Sequence, residues 1–148
     1  MDNRIIALRG RGFIGKTTTI VELADELINS GWNRVWRTMH GNGIDIVDLY
    51  SNNEGILLGV ASAGDNYNEV APALQRLVTS GATVMICACR TKDMPNAKGE
   101  IRGTHTAMKE ITQNITFVNK TIIEQKNDVL RQQTNTRDIN SILNILNR

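Results

Sequence analysis

At 148 residues the chain fits a single domain over residues 1–148, long enough to bury a core without disulfide or metal staples. Hydrophobic residues make up 41% and charged residues 22%, which excludes a disordered chain; aromatics at 4% leave the core to Ile, Leu, Val and Ala. Lys and Arg number 17 against 15 Asp and Glu, and this net charge of +2 is too mild for a nucleic-acid footprint.

Residues 4–8, RIIAL, read as a short buried strand. From Lys16 onward Ile20, Leu23, Ala24, Leu27 and Ile28 recur at helical spacing, and Gly31 follows as a left-handed cap. Residues 34–38 give a second strand. Residues 44–61 resemble two strands joined by the turn residues Asn52, Asn53 and Gly55, so at least one of them runs antiparallel. The next helix carries Val70, Ala71, Leu74, Leu77 and Val78 on one face, with Asn68 as its expected cap, Pro72 in its first turns and Gly81 at its end. ATVMICACR is the near-continuous apolar run of a central strand buried on both faces. Its Cys87 and Cys89 are expected as buried free thiols on opposite faces. A polar, basic loop over 91–103 precedes a short helix near 104–112 and a last strand at 115–119. Residues 122–148 give one or two amphipathic helices, with Ile139, Ile142, Leu143 and Leu146 in register to cover the protein's own sheet. Trp32 and Trp36 are expected to cover an apolar edge, and His105 to cap or decorate a helix. Strands alternating with helices predict an α/β fold, a three-layer sandwich with a mostly parallel sheet.

The segment GRGFIGKT, residues 10–17, fits G-x-x-x-x-G-K-[ST] at every fixed position, just after a strand and at the opening of a helix. A phosphate chain needs backbone N–H groups pointing inward, with no side chains in the way. Glycines at 10, 12 and 15 remove the obstruction and permit positive φ. A helix beginning at Lys16 adds the positive end of its dipole.

On these residues the chain resembles the P-loop NTPase superfamily, and residues 10–17 match its Walker A motif. The resemblance is specific for that motif and elsewhere extends only to the order of strands and helices, which is similar to small nucleotide and metabolite kinases. It implies ATP or GTP with Mg²⁺, bound by Gly10, Arg11, Gly12, Phe13, Ile14, Gly15, Lys16, Thr17 and Thr18. Lys16 would reach the β- and γ-phosphates, Thr17 the metal and Thr18 the α-phosphate. The family also expects an acid at the end of an apolar strand. Asp65, after ILLGVASAG, is favoured as the second metal-side and catalytic acid, with Asp48 as its rival. Arg90, at the end of the buried strand, is the expected catalytic cation. Lys92, Lys98 and Arg102 follow it in the candidate lid, and Arg37 and His40 lie where such kinases bind the acceptor.

Phosphoryl transfer to a nucleotide or small metabolite is the leading reading. Hydrolysis of ATP or GTP as a switch, and nucleotide binding that acts through a partner, stay open. VNKT at 118–121 has the Asn and Lys of a guanine reader but no Asp two residues on. The expected partners are a nucleoside triphosphate and a small-molecule phosphate acceptor, with a homodimer left open. No apolar run approaches the roughly 20 residues of a membrane helix, and the start of the sequence shows no signal-peptide pattern, so a cytoplasmic protein is expected.

Overall fold

The computed structural model describes residues 3–12, 14–39, 44–122 and 127–148. In chain order its elements are β1 (Arg4–Arg9), α1 (Lys16–Asn29), β2 (Asn33–Met39), β3 (Ile46–Ser51) and β4 (Leu57–Ala61). They continue with α2 (Tyr67–Thr79), β5 (Val84–Cys89), α3 (Thr104–Lys109), β6 (Ile115–Asn119) and α4 (Asp128–Leu146). The strands form one mixed sheet in the order β2-β3-β4-β5-β1-β6. β4, β5, β1 and β6 run parallel, and β3 runs antiparallel to both of its neighbours.

The alternation of side chains along each strand builds two cores. Ile6 and Leu8 of β1 face α1 and α4 and pack with Ile20, Leu23, Leu27, Ile139 and Ile142. Ile5 and Ala7 face the other side, where Val70, Leu74 and Leu77 of α2 and Met108 of α3 cover the sheet. The architecture is therefore α/β with helices on both faces. A fully buried aliphatic side chain contributes about 1.5–3 kcal/mol over an exposed one, so these two layers dominate the stability.

The expected hairpin forms, with Gly55 at φ +79 in the turn between β3 and β4. Gly31 and Gly81 also take positive φ just beyond α1 and α2, as expected of helix ends. The cap of α2 is Asn66, not Asn68: its side chain accepts the Glu69 N–H at 3.0 Å while its backbone stays extended. Cys87 and Cys89 lie two positions apart and therefore share a face, contrary to expectation, although both are buried and free. Trp32 and Trp36 are half-buried against opposite cores, as apolar covers do. Among the described residues of the 122–148 segment there is one helix, α4. The Arg4 guanidinium ties the first strand to that helix through the carbonyls of Ile145 and Leu146, at 3.0 and 2.7 Å. Among the described residues no helix is long and apolar enough to cross a membrane.

Candidate functional site

β1 sits between β5 and β6, so the chain leaves its carboxyl end at a point where connections diverge to the two sides. Open α/β sheets bind ligands at such a crevice. The glycine-rich loop fills it, and each glycine has its own reason. Gly15 precedes α1 with φ +90, a left-handed conformation, and no side chain caps the helix, so its first N–H groups remain available. Gly10 and Gly12 do not take positive φ. A Cβ on Gly10 would run into the Ile14 side chain and come within 3.3 Å of Lys120 Cβ, and one on Gly12 would lie 2.8 Å from Arg90 Nη1. Close approach of these side chains, rather than backbone twist, marks the two positions: a Cβ there would displace the ends of Ile14 or Arg90. Arg11 is exposed, Ile14 half-buried and Thr18 exposed; Phe13 lies outside the described residues.

Lys16 is buried, and its ammonium donates to the carbonyls of Gly10 at 2.6 Å and Cys89 at 2.9 Å. It thus bridges the loop to the end of β5. Burial pushes its pKa below the usual lysine range, against the opposing pull of the Asp65 carboxylate. Thr17 Oγ1 lies 3.1 Å from Asp45 Oδ1, and Ser62 Oγ donates to the same oxygen at 2.9 Å. The acid that faces Thr17 is therefore Asp45. Because β3 runs backwards, its leading end lies beside the trailing end of β4, and Ser62 N–H donates to the Ile46 carbonyl at 3.0 Å. An acid just before an antiparallel strand so reaches the same edge as an acid just after a parallel one. IDIVD carried that signal once the hairpin was recognised.

Asp65 sits elsewhere. Gly64 lets the chain press against the Ala88 backbone, where a Cβ would come within 2.6 Å of the carbonyl carbon. This brings Asp65 to Arg90: Arg90 Nε lies 3.3 Å from the Asp65 carbonyl and 3.6 Å from its carboxylate. Arg90 is held from both ends. Its N–H donates to Thr104 Oγ1 at 3.0 Å, and its carbonyl accepts from His105 Nε2 at 2.7 Å, which places the imidazole proton on that nitrogen. His105 stacks on Phe117 at 5.4 Å, so it orients a site residue as well as serving α3.

Asp48 and Arg37 form no part of this site. Asp48 is buried in β3 and takes two hydrogen bonds from Arg37, at 2.8 and 2.9 Å, and one from Tyr50. Arg37 is consumed as the partner of a buried charge, and His40 lies outside the described residues.

The VNKT segment has an acid after all, supplied from α4. Asp138 accepts from Lys120 Nζ at 3.1 Å and from Thr121 N–H and Oγ1 at 3.0 and 2.6 Å. Both members of the pair are buried, so Asp138 braces Lys120 instead of facing a base. Lys120 in turn packs against Gly10.

Comparison with family models, curated proteins and solved structures found no match to this chain.

Two cavities flank the loop. One, of about 540 Å³, is lined by Arg9, Gly10, Asn119 and Lys120 among others. The other, of about 470 Å³, lies on the Asp65 and Arg90 side beneath the 91–103 segment. That segment folds back on itself: Pro95 bridges Ile101, and Asn96 Oδ1 accepts the N–H groups of Lys98 and Glu100. Lys98 lies exposed at its tip, while Lys92 and Arg102 line the cavity.

Proposed function

We propose that the protein binds a nucleoside triphosphate with Mg²⁺ at the β1–α1 loop and transfers its γ-phosphoryl group to a small acceptor. The observation that carries this reading is the loop itself: a strand, three glycines with the last at positive φ, a buried Lys16 tied to the loop carbonyls, and an uncapped helix. Buried ammonium and free helix N–H groups together suit an anion of high charge.

Magnesium is bound through hydroxyl and carboxylate oxygens, with phosphate oxygens completing its shell. Thr17 and Asp45 present such oxygens side by side, fit that requirement and would hold the ion. When bound, the ion would neutralise charge between the β- and γ-phosphates. Lys16 would exchange its carbonyl partners for phosphate oxygens, and Arg90, already against Gly12, would follow charge onto the transferred group. Asp65, exposed beside Arg90, would take the acceptor's proton. The acceptor oxygen then bonds to the γ-phosphorus as the bond to the bridging oxygen breaks, and the diphosphate departs with that electron pair.

Turnover of ATP and GTP with Mg²⁺, with and without a panel of nucleosides, nucleoside monophosphates and metabolites, tests this reading. ADP or GDP formed together with a phosphorylated acceptor is the expected result, and Lys16→Ala is expected to abolish it. Free phosphate released without any acceptor would make the protein a hydrolase. Full activity of Lys16→Ala would overturn the phosphate-loop reading.

A further inference from the structure

The cavity beneath the 91–103 segment has a charge pattern that the phosphate loop does not need. Four cations line it, Arg11, Arg90, Lys92 and Arg102, against two carboxylates, Asp65 and Asp93. Neither carboxylate is spare. Asp65 pairs with Arg90, and Asp93 accepts from the N–H groups of His105 and Thr106 and from Thr106 Oγ1. Among the described residues Arg11 and Lys92 have no ion-pair partner. Arg102 is held in place: its guanidinium lies 4.0 Å over the Tyr67 ring, donates to the Tyr67 hydroxyl at 2.7 Å, and stands 3.8 Å from Glu110. A guanidinium fixed in this way loses little freedom when it binds an anion.

We propose that this cavity is the acceptor site and that it takes a metabolite carrying an anionic group, a phosphomonoester or a carboxylate, gripped by Lys92 and Arg102. The proposal rests on the phosphoryl-transfer reading and names its acceptor class. Arg90 and Asp65 lie on the wall shared with the glycine loop, so a molecule anchored by its anion at Lys92 and Arg102 has its far end directed at the transferred group. The volume, about 470 Å³, suits a small metabolite. A neutral polyol would leave Arg11 and Lys92, unpaired among the described residues, uncompensated, and polar recognition of this kind discriminates strongly.

Binding calorimetry on the full chain saturated with ADP and Mg²⁺ tests this, with glycerol 3-phosphate, glycerate and glycerol as probes. Glycerol 3-phosphate or glycerate is expected to bind, and glycerol not; the stronger of the two anions identifies phosphate or carboxylate as the group. Loss of one charge-assisted contact is expected to weaken the anion roughly 10- to 100-fold in Lys92→Ala and in Arg102→Gln, with ADP affinity unchanged. Lys92 is exposed and unpaired, so Lys92→Ala folds as wild type and keeps the test open if Arg102→Gln does not. Wild-type anion affinity in Lys92→Ala, glycerol binding as tightly as its phosphate, or no anion binding at concentrations up to about 10 mM would overturn the proposal. If ADP fails to bind while anion binding persists and is lost in Lys92→Ala, the nucleotide reading falls and the anion site stands.

Discussion

Asp138→Asn is the substitution whose cost is best set by the structure. Asp138 and Lys120 are each only 3% exposed in their side chains, and the carboxylate takes three hydrogen bonds, from one ammonium, one backbone N–H and one hydroxyl. The amide keeps the shape but removes the countercharge, leaving an ammonium buried without compensation. Breaking such a pair from one side costs about 3–5 kcal/mol. Against a total stability of about 5–15 kcal/mol that is a large fraction. In a domain of this size each kcal/mol lowers the melting temperature by about 2–4 °C, so a drop of roughly 6–20 °C is expected. Removing both charges, in Lys120→Met with Asp138→Leu, leaves no buried charge and takes away the partners of the Thr121 N–H, hydroxyl and carbonyl, a cost of about 1–3 kcal/mol for each group that water does not reach. Differential scanning calorimetry of Lys120→Met, Asp138→Leu and the double variant closes the cycle, and a coupling of at least about 2 kcal/mol is expected. A loss below about 1 kcal/mol in Asp138→Asn, or strict additivity, would refute the idea that a paired charge braces the glycine loop.

Other expectations follow from the same geometry. Asp45→Asn should weaken the dependence of nucleotide binding on Mg²⁺ by at least about tenfold, whereas Asp65→Asn should leave it unchanged and slow transfer; titration of nucleotide at several Mg²⁺ concentrations separates the two. Gly12→Ala should hardly change the melting temperature, because its methyl group meets the movable end of Arg90, yet it should slow transfer as Arg90→Ala does. Gly64→Ala presses instead on the Ala88 backbone and should destabilise by about 1–3 kcal/mol in urea unfolding. Burial opposes ionisation of Asp93, but the hydrogen bonds from Thr106 and His105 prevail and hold its pKa below the ordinary 3.8. A depressed carboxylate stabilises fully above that ordinary value and loses its contribution as pH falls through the lower folded value. The stability gap between wild type and Asp93→Ala should therefore be constant above about pH 5 and shrink below 3.8, read by urea unfolding across that range.

Periodicity and turn chemistry made most of the fold legible. Helical spacing from Ile20 to Ile28, the apolar run of β1 and the turn residues Asn52, Asn53 and Gly55 before β4 are local signals, and each is resolved within a few residues. The glycine loop was legible for the same reason. Asp45 was hidden because its partner Thr17 is 28 residues away and meets it only after β3 reverses direction. Asp48 and Arg37 misled because both carry the right chemistry; only the pairing of β2 with β3, which sets Arg37 opposite Asp48, shows that they neutralise each other. Asn68 lost the cap to Asn66 by two residues, a distance at which local preference alone does not decide.

The position of β1 has a consequence for how the protein emerges from the ribosome. It is the first strand of this sequence, yet its hydrogen-bonding partners β5 and β6 come after residue 83, and Arg4 waits for the carbonyls of Ile145 and Leu146. During synthesis one hydrogen-bonding edge of β1 has nothing to pair with until β5 at 84–89 is made, and the other until β6 at 115–119. Such late closure makes folding slow and leaves the nascent strand exposed to mispairing. Chains stalled before residue 115 should therefore depend on holdase chaperones far more than chains that extend through residue 148.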